Sequence, residues 1–191
     1  MNQTVKPLSE MTLEELWRLF PIVLSDHNPD WKDFYETEKE LLADRFGSDL
    51  IRITHIGSTA VEGLIAKPTV DILLEVTDGM PSDEIRQTAV DCGYAVMAET
   101  AVPEYRLDLC KGYTPQGFAE KVFHLHIRYP GDWDEPVFCE FLKQNPEKAQ
   151  EYARLKIELQ KRYQYNRDAY TEAKGKFIRA CVEAARKGSG K

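Results

Sequence analysis

The chemistry in this chain is concentrated in one stretch, His55-Ile-Gly-Ser-Thr-Ala-Val-Glu-Gly-Leu-Ile-Ala-Lys-Pro-Thr-Val-Asp-Ile-Leu-Leu-Glu-Val76. Gly57-Ser58 follows an apolar-ending strand. Glycine there lets a phosphate approach the backbone. The hydroxyls of Ser58 and Thr59 add donors at the start of a predicted helix, where free amides favour an anion. The competing reading is a glycine turn with a serine cap. Asp71 shifts that balance. It stands inside Thr-Val-Asp-Ile-Leu-Leu-Glu-Val, otherwise the sequence of a strand buried on both faces. A carboxylate there is costly unless it is paired, bonded to backbone or bound to a cation. A phosphate-gripping turn beside a strand carboxylate suits nucleotidyl transfer, with Asp71 as a magnesium ligand.

Period two puts Asp71, Leu73 and Glu75 on one strand face. A tight two-carboxylate clamp wants acids at positions 71 and 73, and position 73 is leucine. Glu75 lies about 7 Å further along the strand, so it joins only through its longer side chain or a water. Lys67, before Pro68, either reaches phosphate as a point charge or stands solvated in a loop. His124, His126 and Arg128 share one face of a later strand. Histidines two apart on a strand can hold a metal, or a phosphate when one is charged. The chain has four histidines and no Cys-x-x-Cys pair, so zinc has little support. Arg106 and Asp108 share a face of the neighbouring strand. Asp108 is either a later carboxylate of the site or a surface partner of Arg106. Lys174 lies one turn from Tyr170 on a C-terminal helix, facing either the site or solvent.

The elements that must position these groups are legible from periodicity. Met11–Phe20 predicts a helix capped by Thr12, and Asn28 starts a second that Gly47 stops. Strands are expected at 51–56, 69–76, 94–99, 105–111 and 121–129, with short helices at 59–66 and 83–91 and a turn at 112–117. Three helices follow, at 136–144, 146–163 and 168–186, the middle one with Tyr152, Leu155, Leu159 and Tyr163 on one face. Strands with interposed helices and then an all-helical third imply an α+β fold, a mixed sheet of about five strands backed by helices. The expected organisation is an N-terminal helical extension (1–27), one domain (28–186) with its sheet at about 50–130 and its helices at 135–186, and a frayed tail (187–191).

Composition narrows the function classes. The net charge of −7 argues against general nucleic-acid binding. The charge is uneven: residues 1–140 hold 12 basic and 26 acidic side chains, and residues 141–191 hold 13 basic and 6 acidic. The basic C-terminal part either neutralises the acidic part by packing on it or forms the cationic wall of an anion site. No segment reaches the apolar length of a membrane span, and the N-terminus has no secretory pattern. Four widely spaced cysteines read as reduced thiols, so a cytoplasmic location is expected.

With these residues in view, the chain resembles the GrpB family, bacterial proteins placed in the nucleotidyltransferase superfamily. The resemblance rests on His55-Ile-Gly-Ser-Thr-Ala-Val, Gly63-Leu64 and Lys67-Pro68-x-x-Asp71-Ile72. Asn28-Pro-Asp-Trp31, His124-Leu-His126 and Asp168-Ala-Tyr-Thr-Glu-Ala-Lys174 support it. Glu62 stands where the family usually has proline. The resemblance implies a small mixed sheet with a Gly-Ser turn facing strand carboxylates. Active superfamily members pair two acids to hold two magnesium ions; Leu73 replaces the second acid here.

The first expectation is therefore a magnesium-dependent nucleotidyltransferase acting from a nucleoside triphosphate on an unknown acceptor. Asp71, His126 and Glu75 are its catalytic candidates, and Asp71, Glu75 and Asp108 its metal ligands. Gly57, Ser58, Thr59, Lys67, Arg106, His124 and Lys174 would bind substrate. The alternative is a non-catalytic or differently catalytic protein binding a nucleotide or other phosphorylated small molecule on the same fold. A third reading is an interaction module whose basic C-terminal helices dock a partner.

Overall fold

The computed structural model describes residues 6–188; residues 1–5 and the last three of the expected tail, 189–191, lie outside them. Helix α1 (Leu13–Leu19) begins at a capping box in which Thr12 and Glu15 satisfy each other's backbone amides. In α2 (Asp30–Phe46) the Asp30 amide donates to Asn28 Oδ1 at 3.0 Å, and Gly47 ends the helix. There follow β1 (Leu50–Ile56), β2 (Val70–Val76), α3 (Ser82–Asp91), β3 (Ala95–Thr100), β4 (Arg106–Thr114) and β5 (Gly117–Arg128). Helices α4 (Asp134–Gln144), α5 (Pro146–Tyr163) and α6 (Arg167–Gly188) complete the chain.

The five strands form one mixed sheet in the order β1-β2-β5-β4-β3. Strands β2 and β5 are parallel and every other neighbouring pair is antiparallel. One sheet face is apolar. Ile72, Leu74, Leu107, Leu109, Leu125 and Ile127 pack there with Trp31, Leu42 and Phe46 of α2 and with Ile85 of α3. Alternation turns the intervening residues to the other face. The register sets Asp71 opposite His124, and His126 between Leu73 and Asp108. Helices α4–α6 share a second core of Phe138, Leu142, Tyr152 and Val182. They close over the polar face of the sheet, where Cys139 of α4 meets the Gly57 carbonyl.

Two local expectations are corrected. The helix expected at 59–66 is a single 3-10 turn, Ser58–Ala60. Val61 is extended, Gly63 takes a positive φ of 72°, and Ala66 bridges to Ser25. Burial of Val61 and Leu64 against α4 and α5 overrides a helical path. The turn expected at 112–117 is shorter, because β4 and β5 continue to Thr114 and from Gly117. Gly112 marks a register shift instead: its φ is +90°, and a Cβ there would lie 2.2 Å from the Lys121 carbonyl oxygen.

Candidate functional site

The site begins at the end of β1, where Gly57 turns the chain across β2. Its φ is +71°, and a Cβ at this position would come within 2.4 Å of Asp71 Oδ2. Glycine is required twice over, for the backbone angle and for the approach to the carboxylate. Ser58 follows. Its Oγ accepts a hydrogen bond from Lys156 Nζ at 3.0 Å, and the same amine donates to the Ile65 carbonyl. Lys156 is only 2% exposed. Its hydrogen bonds go to neutral oxygens, and among the described residues no carboxylate lies within ion-pair distance of it.

Behind the turn, the polar sheet face carries a relay of hydrogen bonds. Arg167 donates to the Tyr113 hydroxyl, whose oxygen is 2.9 Å from His124 Nε2. A carboxylate can only accept, so His124 donates from Nδ1, 3.1 Å from Asp71 Oδ1. Burial lowers the His124 pKa against the opposing pull of Asp71, which favours the neutral imidazole with Nε2 free to accept from the phenol. His126 is in the opposite state. Its Nδ1 lies 2.8 Å from Asp108 Oδ1 and its Nε2 lies 3.8 Å from Asp71 Oδ1. Burial disfavours the imidazolium, but the two carboxylates outweigh it and raise the pKa to about 9. Burial also works against charge on Asp71, yet the hydrogen bond from His124 and the nearby His126 imidazole hold its carboxyl well below the usual range. Asp108 is held at about 2, against burial, by His126 and Arg128.

In front of this relay lies a cavity of about 940 Å3 lined by Gly57, Ser58, Lys67, Asp71, Arg106, His126, Lys156 and Lys174. Trp133, Tyr129, Tyr152 and Tyr170 supply aromatic wall. Three amines, Lys67, Lys156 and Lys174, gather with Asp71 at the inner end, while Glu104, Asp132, Asp134 and Glu135 also line the cavity. Burial, then the positive neighbours Lys174 and Lys67, lower the Lys156 pKa to about 7. Burial, then Arg167 and Lys174, lower that of Lys67 to about 7. Burial also lowers that of Lys174.

The structure brings together Gly57, Ser58, Lys67, Asp71, Arg106, His126 and Lys174. His124 and Asp108 act on Asp71 and His126 from the sheet and do not line the cavity. Two candidates are corrected. Thr59 is buried, its hydroxyl between His55 Nε2 and the Thr69 carbonyl. Glu75 is 1% exposed, with one oxygen accepting from Arg52 and the other from the Gly131 amide at 3.2 Å. Between Glu75 and Asp71, Leu73 packs with Ile56 and Trp133, so this strand face is apolar where a second acid would stand. The basic C-terminal third supplies cationic wall through Lys156 and Lys174. Lys156 and the Arg167–Tyr113 pair were not among the predicted site residues. Lys156 does carry a signal, since it falls one turn from Tyr152 inside the apolar stripe of α5, where a lysine is out of place.

The residues present do not fit the two-magnesium set that the superfamily resemblance implies. Magnesium wants several oxygen ligands in octahedral array. Asp108 is committed to His126 and Arg128, Glu75 is locked away, and Asp71 already receives two imidazoles amid three amines. Among the described residues, no group of three or more His, Cys, Asp or Glu side chains is placed to hold a metal ion.

Comparison with known proteins agrees with the arrangement of elements. The chain is 28% identical to the crystal structure of conserved protein GrpB from Enterococcus faecalis, with a TM-score of 0.75 over 88% of this chain and 100% of that one. It is 29% identical to the glutamate-rich protein GrpB of Alkalihalophilus pseudofirmus, over 82% of this chain and 91% of that protein. It is 27% identical to the UPF0157 protein YqkA of Bacillus subtilis over 97% of its own length, but spans only 54% of that protein. The model of the family described as GrpB protein matches residues 21–184. That match covers the sheet, the Gly57–Ser58 turn and the helices that bring Lys156 and Lys174 to it, and the chain belongs to the GrpB protein family.

Proposed function

We propose that this protein binds a nucleotide, or another phosphorylated small molecule, in the cavity between the Gly57–Ser58 turn and helices α5 and α6. The observation that carries this reading is Lys156: a buried amine on Ser58, with no carboxylate partner, in a cavity that Lys67 and Lys174 also line. Three amines and a hydroxyl converging beside the single carboxylate of Asp71 leave positive charge in excess at this end of the cavity, which suits a phosphate. Asp71 is not a metal ligand in this reading. Held ionised by His124 and His126, it offsets part of the lysine charge and orients His126 toward the cavity. Arg106 stands at the mouth over the Trp133 ring, its guanidinium carbon 5.1 Å from the ring centroid, where it can meet a second phosphate or a ribose.

Magnesium-dependent nucleotidyl transfer is the reading that Asp71 and the superfamily resemblance favour, but the donor set described above does not fit it. One titration separates the two. ATP, CTP, GTP and UTP are added with and without magnesium to the native protein and to Asp71→Ala, following melting temperature, since stabilisation tracks occupancy. Binding that needs no metal and survives Asp71→Ala supports the cradle. Binding that requires magnesium and is lost in Asp71→Ala would overturn it.

A further inference from the structure

Lys156 and Lys67 raise a question of charge balance. A buried ammonium without a counter-ion is strongly disfavoured and sheds its proton. Among the described residues, the Lys156 amine meets the Ser58 hydroxyl, the Ile65 carbonyl and the Tyr152 ring, whose centroid is 4.8 Å from Nζ. A ring face compensates a cation only in part. The charged groups that face this amine are Lys67 from the loop before β2, Lys174 from α6 and Asp71 from β2, so two of the three repel an ammonium. Lys67, partly exposed, lines the same cavity, where it is faced by Arg167 and Lys174 from α6 and by Asp71. These surroundings favour neutral amines, and an entering polyanion supplies the counter-charge that reverses the preference.

We infer, on the basis of the phosphate-binding reading above, that the cavity takes its polyphosphate with protons in place of divalent cations, Lys156 and Lys67 each drawing a proton from solvent as the ligand enters. The lone pair of each Nζ takes the proton. Ammonium forms beside phosphate oxygen, and no covalent bond to the ligand is made or broken. The ligand class is a metal-free nucleoside di- or triphosphate. The magnesium complex, which has lost part of its negative charge, is the poorer ligand. Both amines lie near neutrality in the free protein, at about 7, which places the linkage within reach of ordinary buffers.

The test is calorimetric titration of ATP in EDTA at about pH 8, where a terminal phosphate is already fully ionised, in Tris and again in HEPES. Proton uptake makes the observed enthalpy depend on the ionisation enthalpy of the buffer. The expected result is uptake of about one proton or more, with affinity falling about tenfold per pH unit for each proton taken up, and weaker binding when magnesium is added. Lys156→Arg, a permanent cation, should reduce the uptake; if that variant does not fold, Lys67→Arg on the loop should do so. Equal enthalpies in the two buffers, or binding only with magnesium, would overturn the inference. Metal-free binding without proton exchange would leave the phosphate-binding reading standing, whereas absence of binding under every condition overturns both.

Discussion

Lys156 Nζ lies 3.0 Å from Ser58 Oγ across 98 residues of chain, joining the C-terminal helices to the turn that opens the sheet. That contact makes one site of two halves of opposite charge. It also predicts that Lys156 contributes to binding more than to folding. Replacing a buried amine that has no ion partner by an apolar group of similar length is commonly neutral or stabilising, by up to a few kcal/mol. Lys156→Met should therefore keep or raise the melting temperature while reducing nucleotide-induced stabilisation. Because the lysine is harder to charge folded than unfolded, its cost is full at about pH 7 and below and fades as pH rises toward about 10. The gap between variant and native should narrow across that range in thermal melts.

Gly57→Ala should be among the most damaging single-methyl changes. The new Cβ would overlap Asp71 Oδ2 at 2.4 Å on a backbone with φ +71°. Loss of about 2 kcal/mol or more is expected, read by urea denaturation. Gly63→Ala has a similar φ and open space around it, so it should cost only the backbone term, about 1 kcal/mol.

His126 predicts a pH dependence of opposite sign to that of Lys156. Its pKa is raised from 6.5 to about 9 by Asp108 and Asp71 against burial. Its stabilising contribution is fully present below about 6.5 and is lost as pH rises through about 9. His126→Gln keeps the shape and removes the titration. The stability difference between native and His126→Gln should be largest in mildly acidic buffer and shrink as pH passes 9, measured by denaturant titration at each pH.

Leu73→Asp tests whether the missing second acid can be restored. Leu73 is 0% exposed, in contact with Ile56 and Trp133. A carboxylate there is buried without a partner, and a loss of about 3 kcal/mol or more is expected. Magnesium should not rescue the melting temperature of this variant. Glu75→Gln, by contrast, should leave nucleotide binding unchanged, because Glu75 itself does not line the cavity and its oxygens serve Arg52 and the Gly131 amide.

Much of this architecture is legible in the sequence because it rests on local rules. Thr12, Asn28 and Gly47 set helix ends, and period two placed Asp71, His124, His126 and Asp108 on one sheet face. What sequence could not supply was the state of each polar group, which tertiary partners decide. Glu75 reads as a site acid until Arg52, paired across β1, takes it. Thr59 reads as a phosphate donor until His55 and Thr69 claim its hydroxyl. Lys156 is hidden because α5 announces a buried stripe, and only the fold shows that the stripe ends at Ser58 and a cavity. Gly112 shows a further ambiguity, since glycine marks bulges and turns alike.

The central claim, that lysines rather than metal ions hold phosphate here, is tested most directly by the dissociation constant for ATP in EDTA, measured by calorimetry for the native protein and for Lys156→Met. The account predicts saturable binding to the native protein, weakened about tenfold or more in the variant, in keeping with loss of one charge-assisted contact of about 1.5–3 kcal/mol. Equal affinities for the two proteins, or no binding to the native protein until magnesium is added, would contradict it.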